Sequence, residues 1–207
     1  MASISKFKAH PWHGIDPGIN TPEEVTVYIE VVPSDTVKYE IDKVSGFLTI
    51  DRPQKFSNVT PTLYGFIPQT YCGDLIAAHD SQKSGRTIEK GDGDPLDICV
   101  FCERTISNGG ILLHAIPIGG IRMIDKGQAD DKIIAVLKGD EVYAGWSDLE
   151  HVPEAMINRL KHYFLTYKNI PGTDMPTVEI LNFYGKKEAH EVIETCIADY
   201  KAKFGIS

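Results

Sequence analysis

The chain has 207 residues, a formal net charge of −8 and 42% hydrophobic side chains. That length predicts one domain, the apolar content predicts a core of its own rather than a disordered chain, and the acidic balance argues against nucleic acid or an anionic membrane as the main partner. No run reaches the roughly 18 apolar residues of a membrane-spanning helix, and Met1 to Lys8 lacks the apolar centre of a signal peptide, so a cytoplasmic protein is expected.

After a proline-broken start, Val25, Val27, Ile29 and Val31 alternate with Thr26, Tyr28 and Glu30, the period of a strand. Val37 to Ile41 repeats the pattern with Lys38 and Glu40 on one face, and Phe47 to Arg52 predicts a third strand stopped by Pro53. Pro61 to Tyr71 reads as an irregular, partly buried segment. Cys72 to Lys90 turns polar and is expected to be a surface insertion, most loop-like between Asp80 and Arg86.

Further strands are predicted at Ile98–Cys102, Ile111–Ile118, Gly120–Ile124 and Lys132–Leu137, and another at Val178–Phe183. Ile157, Leu160, Phe164 and Tyr167 recur at helical spacing after Pro153, up to Pro171-Gly172, and Ala189, Val192, Ile193, Cys196, Tyr200 and Phe204 mark a second helix. The expected fold class is α+β, mainly β, with two main flanking helices. Cys72, Cys99, Cys102 and Cys196 are few and irregularly spaced. Cys99 and Cys102 lie on opposite faces of a strand, which favours reduced thiols over a zinc site. The histidines show no paired metal spacing.

Asp92, Asp94 and Asp97 stand within six residues, in a turn stiffened by Gly93 and Pro95. Three like charges so close raise one another's pKa, which calls for a hard cation between them or a working base. A calcium-binding EF-hand loop is excluded by Leu96 and Asp97 at its fifth and sixth positions and by the strand that follows. Asp125, Asp130 and Asp131 form a second acidic stretch, Glu30 sits on a polar strand face, and Lys38, Arg52, Lys132 and Lys168 adjoin acids or aromatics. Acids for Mg²⁺ beside bases for oxyanions suit phosphoryl transfer.

With these residues in view, the chain resembles the family I soluble inorganic pyrophosphatases of bacterial type. Asp92-Gly93-Asp94-Pro95-Leu96-Asp97 matches their signature, and Glu30, Lys38-Tyr39-Glu40, Asp51-Arg52, Tyr64-Gly65, Asp125, Asp130, Lys132 and Tyr167-Lys168 follow in the family's order. The resemblance implies a five-stranded OB-like barrel and Mg²⁺-dependent hydrolysis of pyrophosphate to two orthophosphates by a metal-bridged water, with Mn²⁺ as a substitute ion. It implies Asp92, Asp97, Asp125, Asp130 and Glu30 as metal ligands and Asp94 as general base. Lys38, Arg52, Lys132, Tyr167 and Lys168 are implied as phosphate-binding groups, Glu40 and Tyr64 as polar groups lining the site, and a homohexamer as the assembly. Four residues before Tyr64 the family often has another tyrosine. Here Thr60 stands there, so another group or a water is expected to fill the gap. The alternatives are a related phosphohydrolase acting on polyphosphate or nucleotides, and an OB-type binding module that the net charge of −8 disfavours.

Overall fold

Every residue of β1 (Val25–Val31) is buried, with Val25, Val27 and Ile29 packed into one cluster and Tyr28 into another on the opposite face. The computed structural model describes residues 9–168 and 178–205. In it β1 pairs antiparallel with β4 (Leu63–Phe66) on one edge and β6 (Ile111–Asp125) on the other. From β4 the ladder continues to β5 (Asp97–Phe101), then in parallel to β8 (Lys132–Leu137), which pairs antiparallel with β6. Five strands therefore close a ring, as the OB-like expectation required. The far half of β6 leaves that ring to pair with β7 (Gln128–Ala129) and β9 (Val178–Gly185). β2 (Val37–Ile41) and β3 (Leu48–Pro53) form a separate two-stranded hairpin.

Several expectations change. The strands predicted at Ile111–Ile118 and Gly120–Ile124 are one strand, with a register shift against β8 between Pro117 and Gly119, where pairing with β9 begins on the other edge. The segment expected to be irregular contains β4. Gly65 hid it, lacking strand propensity yet required because a Cβ there would lie 1.9 Å from the Tyr28 carbonyl oxygen.

Three helices are present among the described residues, not two. α1 (Asp74–Ser84) lies in the stretch expected to be a loop, with Ile76, Ala77 and Asp80 buried. Its apolar face is short, and its N-terminal amides are capped from a distance: the Asp199 carboxylate accepts from the backbone N–H of Gly73, Leu75 and Ile76 at 3.0–3.1 Å. No local signal announces such a cap.

α2 (Glu154–Thr166) follows Pro153, and Leu160 and Phe164 pack with Ile121, Ile134 and Val136 on one side of the sheet. The predicted stop at Pro171-Gly172 lies outside the described residues. On the other side α3 (Lys186–Phe204) buries Ala189, Val192, Ile193 and Cys196 against Val25, Val27, Ile133 and Ile76 of α1. Alternation along β5 and β8 feeds both cores, with Cys99, Phe101, Ile134 and Val136 on the α2 side and Ile98, Val100, Ile133 and Ala135 on the side of α1 and α3. Cys72, Cys99, Cys102 and Cys196 are free thiols.

Candidate active site

The signature loop Gly91 to Asp97 is shaped by its glycines and pinned by its backbone. Gly93 has φ +82°, a left-handed turn that side chains rarely adopt, and a Cβ on Gly91 would lie 2.2 Å from the Cys72 carbonyl oxygen. Cys72 donates its N–H to the Asp94 carbonyl at 2.8 Å and accepts from Gly93 at 3.0 Å, while Ala129 donates to Lys90. The loop is thereby held where β5 begins and β7 ends. Asp94 donates its backbone N–H to Asp92 Oδ1 at 3.0 Å.

Around it the elements deliver the other residues. Glu30, Lys38, Glu40, Tyr64, Asp94 and Asp97 line one cleft, roofed by the β2–β3 hairpin. The Tyr64 hydroxyl donates to Asp97 Oδ2 at 2.5 Å, and Lys132 Nζ reaches the same oxygen at 2.6 Å while also contacting Asp130. Lys168 Nζ lies 2.6 Å from Asp125 Oδ2 and 5.1 Å from the centre of the Tyr167 ring. Lys38 pairs with Glu40 at 2.9 Å and with Asp51 at 3.1 Å, and Arg52 pairs with Asp51. Arg52 Nη2 is buried with no hydrogen-bond partner among the described residues. Larger hollows exist, such as one of about 360 Å³ between Ser57–Val59 and α2, but its lining holds no carboxylate.

Thr60 does not face this chemistry: it is buried and its hydroxyl donates to the Thr62 carbonyl at 3.1 Å. At the level of sequence one neighbour, Lys43, was missed and another, Asp51, was given no role. Lys43, in the turn of the β2–β3 hairpin, contacts Asp94 Oδ1, and Asp51 bridges Lys38 and Arg52. A lysine in a polar turn carries no periodic signal, and only the folding of the hairpin onto the signature loop brings it near Asp94.

The electrostatics follow from crowding. Burial first, then Asp97, pushes the Glu30 carboxyl up to about 8, although Ile41 donates its N–H to Glu30 Oε1 at 2.8 Å. Burial and Asp130 push Asp92 up to about 9. Asp94 is also raised, by burial, with Lys43 pulling the other way. Burial works against the charge of Lys132, yet Asp130 and Asp97 more than offset it and its pKa is raised. Burial opposes Lys38 in the same way and Glu40 outweighs it. The Tyr64 hydroxyl is raised by burial and by Asp97.

Among the described residues no three His, Cys, Asp or Glu groups form a ready-made ion cage. Ammonium groups lie instead against Asp94, Asp97, Asp125 and Asp130. The donor chemistry nevertheless fits hard divalent ions: the donors are carboxylates, and burial, then a neighbouring carboxylate, drives Glu30 and Asp92 to hold protons.

Comparison with known proteins agrees with this picture. The sequence model described as inorganic pyrophosphatase matches residues 27–201. The chain is 52% identical over 195 residues to an inorganic pyrophosphatase of Chlamydia muridarum, covering 92% of this chain and 93% of that one. It is 34% identical to one of Picrophilus torridus, covering 92% of this chain and 95% of that one. The crystal structure of the Thermus thermophilus inorganic pyrophosphatase superposes with a TM-score of 0.79 at 29% identity, covering 93% of this chain and 99% of that one. Together with a closed ring of strands whose mouth gathers acids and lysines, these matches place the chain in the inorganic pyrophosphatase family.

Proposed function

We propose that the chain hydrolyses inorganic pyrophosphate to two orthophosphates, with Mg²⁺ as its cofactor and water as the direct nucleophile. The observation that carries this reading is one cleft in an acidic protein where Glu30, Asp94 and Asp97 meet Lys38, with Lys132 and Asp130 joined to it by ion pairs, and Asp125 and Lys168 forming a further pair. Asp92, Asp97, Asp125, Asp130 and Glu30 would hold the divalent ions. When bound, these would offset the charge of pyrophosphate and lower the pKa of the attacking water.

The chain's own groups then have distinct tasks. Asp94 accepts the proton of the water whose oxygen bonds to phosphorus as the bridging P–O bond breaks, and its burial raises its basicity for that role. Lys38, Lys132, Tyr167 and Lys168 grip phosphate oxygens, and the partnerless Nη2 of Arg52 is a donor left for one. Glu40 orients Lys38, and the Tyr64 hydroxyl fixes Asp97 from one side. No side chain forms a bond to phosphorus. We further propose that the single domain works in the cytoplasm as a hexamer, which light scattering would test.

Phosphate release from pyrophosphate, tripolyphosphate and ATP, each with Mg²⁺, Mn²⁺ or EDTA, tests the reading. Rapid Mg²⁺-dependent release from pyrophosphate is expected. Preferential release from ATP or tripolyphosphate would favour the alternative phosphohydrolase, and release unaffected by EDTA would overturn the metal requirement.

A further inference from the structure

On the edge of β6 that pairs with β7 and β8 the ladder is broken for two residues, and the break lies in the candidate site. β6 pairs Ile124 with Ala129 of β7 and Ile121 with Lys132 of β8, leaving Asp130 and Asp131 between them. The Met123 backbone spans that gap. Its carbonyl accepts from Asp130 N–H at 3.0 Å, and its N–H donates at 3.2 Å to the side chain of Asp131. A carboxylate thus does the work of a backbone acceptor. Because neighbouring residues of an extended chain point to opposite sides, Asp131 is aimed away from the cleft while Asp130 and Lys132, in contact with each other, are aimed toward it.

The second oxygen of Asp131 is also taken: the Tyr184 hydroxyl donates to Oδ2 at 2.9 Å. Tyr184 is itself clamped. Its ring lies where a Cβ on Gly120 would sit, within 2.3–2.5 Å, and the Arg122 guanidinium stands 5.2 Å from its centre. Arg122 is held from three elements, by Asp80 of α1 at 3.0 Å, Asn182 of β9 at 3.2 Å and Glu188 of α3 at 2.6 Å. Asp80, Arg122 and Asp131 are each 2% exposed or less. In so dry a setting a single geometry is enforced, because an unmade hydrogen bond there is costly.

We propose that Asp131 and Tyr184 are positioning residues for the reaction, setting the aim of Asp130 and Lys132 from behind the site, with Arg122 and Asp80 tying that setting to α1. Neither touches substrate. The inference rests on the proposed role of Lys132 and Asp130, and gives α1 a purpose beyond covering the core.

The test uses the full chain as wild type, Tyr184→Phe, Asp131→Leu and Asp131→Asn, each first shown to be folded at 25 °C by circular dichroism. Tyr184→Phe keeps the ring and removes only the hydroxyl. It is expected to raise KM for pyrophosphate about tenfold with a smaller change in kcat, since misplacement of a phosphate-gripping group weakens binding first. Asp131→Leu should do the same or more. Asp131→Asn, which can still accept from Met123 and pair with Tyr184, should stay within about threefold of wild type. Amide hydrogen exchange over residues 129–132 should speed up at least fivefold in Tyr184→Phe and Asp131→Leu but not in Asp131→Asn. Folded Tyr184→Phe and Asp131→Leu with KM and exchange within twofold of wild type would overturn the proposal, as would equal defects in Asp131→Asn and Asp131→Leu. A wild type that releases no phosphate from pyrophosphate would overturn the proposed function instead, and the exchange measurement would then decide the positioning claim alone.

Discussion

The ammonium of Lys43, at the turn between β2 and β3, pairs with the carboxylate of Asp94 in the signature loop. The hairpin that brings Lys38 and Arg52 to the site is thus fastened to the proposed base itself. Burial raises the Asp94 pKa and Lys43 holds it back. Removing that positive charge with Lys43→Met should raise the Asp94 pKa further, so the acidic limb of the pH–rate profile moves to higher pH. Asp94→Asn should lower kcat by about 10²–10⁴ at every pH. An unmoved acidic limb in Lys43→Met would show that the pairing does not govern the base.

A second outcome concerns stability without metal. Glu30 and Asp92 are raised to about 8 and about 9 from 4.5 and 3.8. Raised acids bind protons more tightly in the folded state. Their contribution is therefore fully present below the unfolded values and is lost as pH rises through about 8 to 9. In EDTA the protein should unfold at lower urea at pH 9 than at pH 6. Mg²⁺ should add more stability at pH 9, and at pH 7.5 its binding should release about one to two protons per chain. Calorimetry in buffers of different ionisation enthalpy measures that release.

Lys132 is buried between two carboxylates, so its loss leaves uncompensated negative charge. Lys132→Met should destabilise the metal-free protein by about 3–5 kcal/mol in urea unfolding. Mg²⁺ should restore part of that stability without restoring turnover. Full activity in this variant would remove Lys132 from the phosphate-binding set.

Asp199 caps α1 from α3 through three backbone amides. Asp199→Ala should cost about 1–2 kcal/mol and lower Tm by several degrees. Limited proteolysis should then cut first between residues 74 and 90. Cleavage elsewhere would show that α1 is held by packing alone.

Periodicity and chemistry in the sequence reached a definite limit. The alternation of Val25 to Val31 and the 3–4 spacing of Leu160 and Phe164 or Val192 and Cys196 are local records of which side faces a core, and the strands and two helices they predicted are present. The signature carboxylates, and lysines beside acids, announced a phosphate chemistry because their crowding is unfavourable without it. β4 and α1 were not legible. β4 owes its form to a close approach at Gly65 that only its partner strand requires, and α1 to a cap supplied by Asp199 from a distant helix.

What the sequence alone determined was the kind of protein: acids and bases of the right type in the right order, on a chain whose patterning makes strands. Which of them meet was decided by the tertiary structure. Ring closure sets Asp97 beside Lys132 through the parallel β5–β8 pair, and hairpin folding sets Lys43 on Asp94. Burial behind the sheet sets Tyr184 on Asp131. Each of these contacts joins residues far apart in the chain, and neither propensity nor periodicity, which act over a few residues, carries information across such separations.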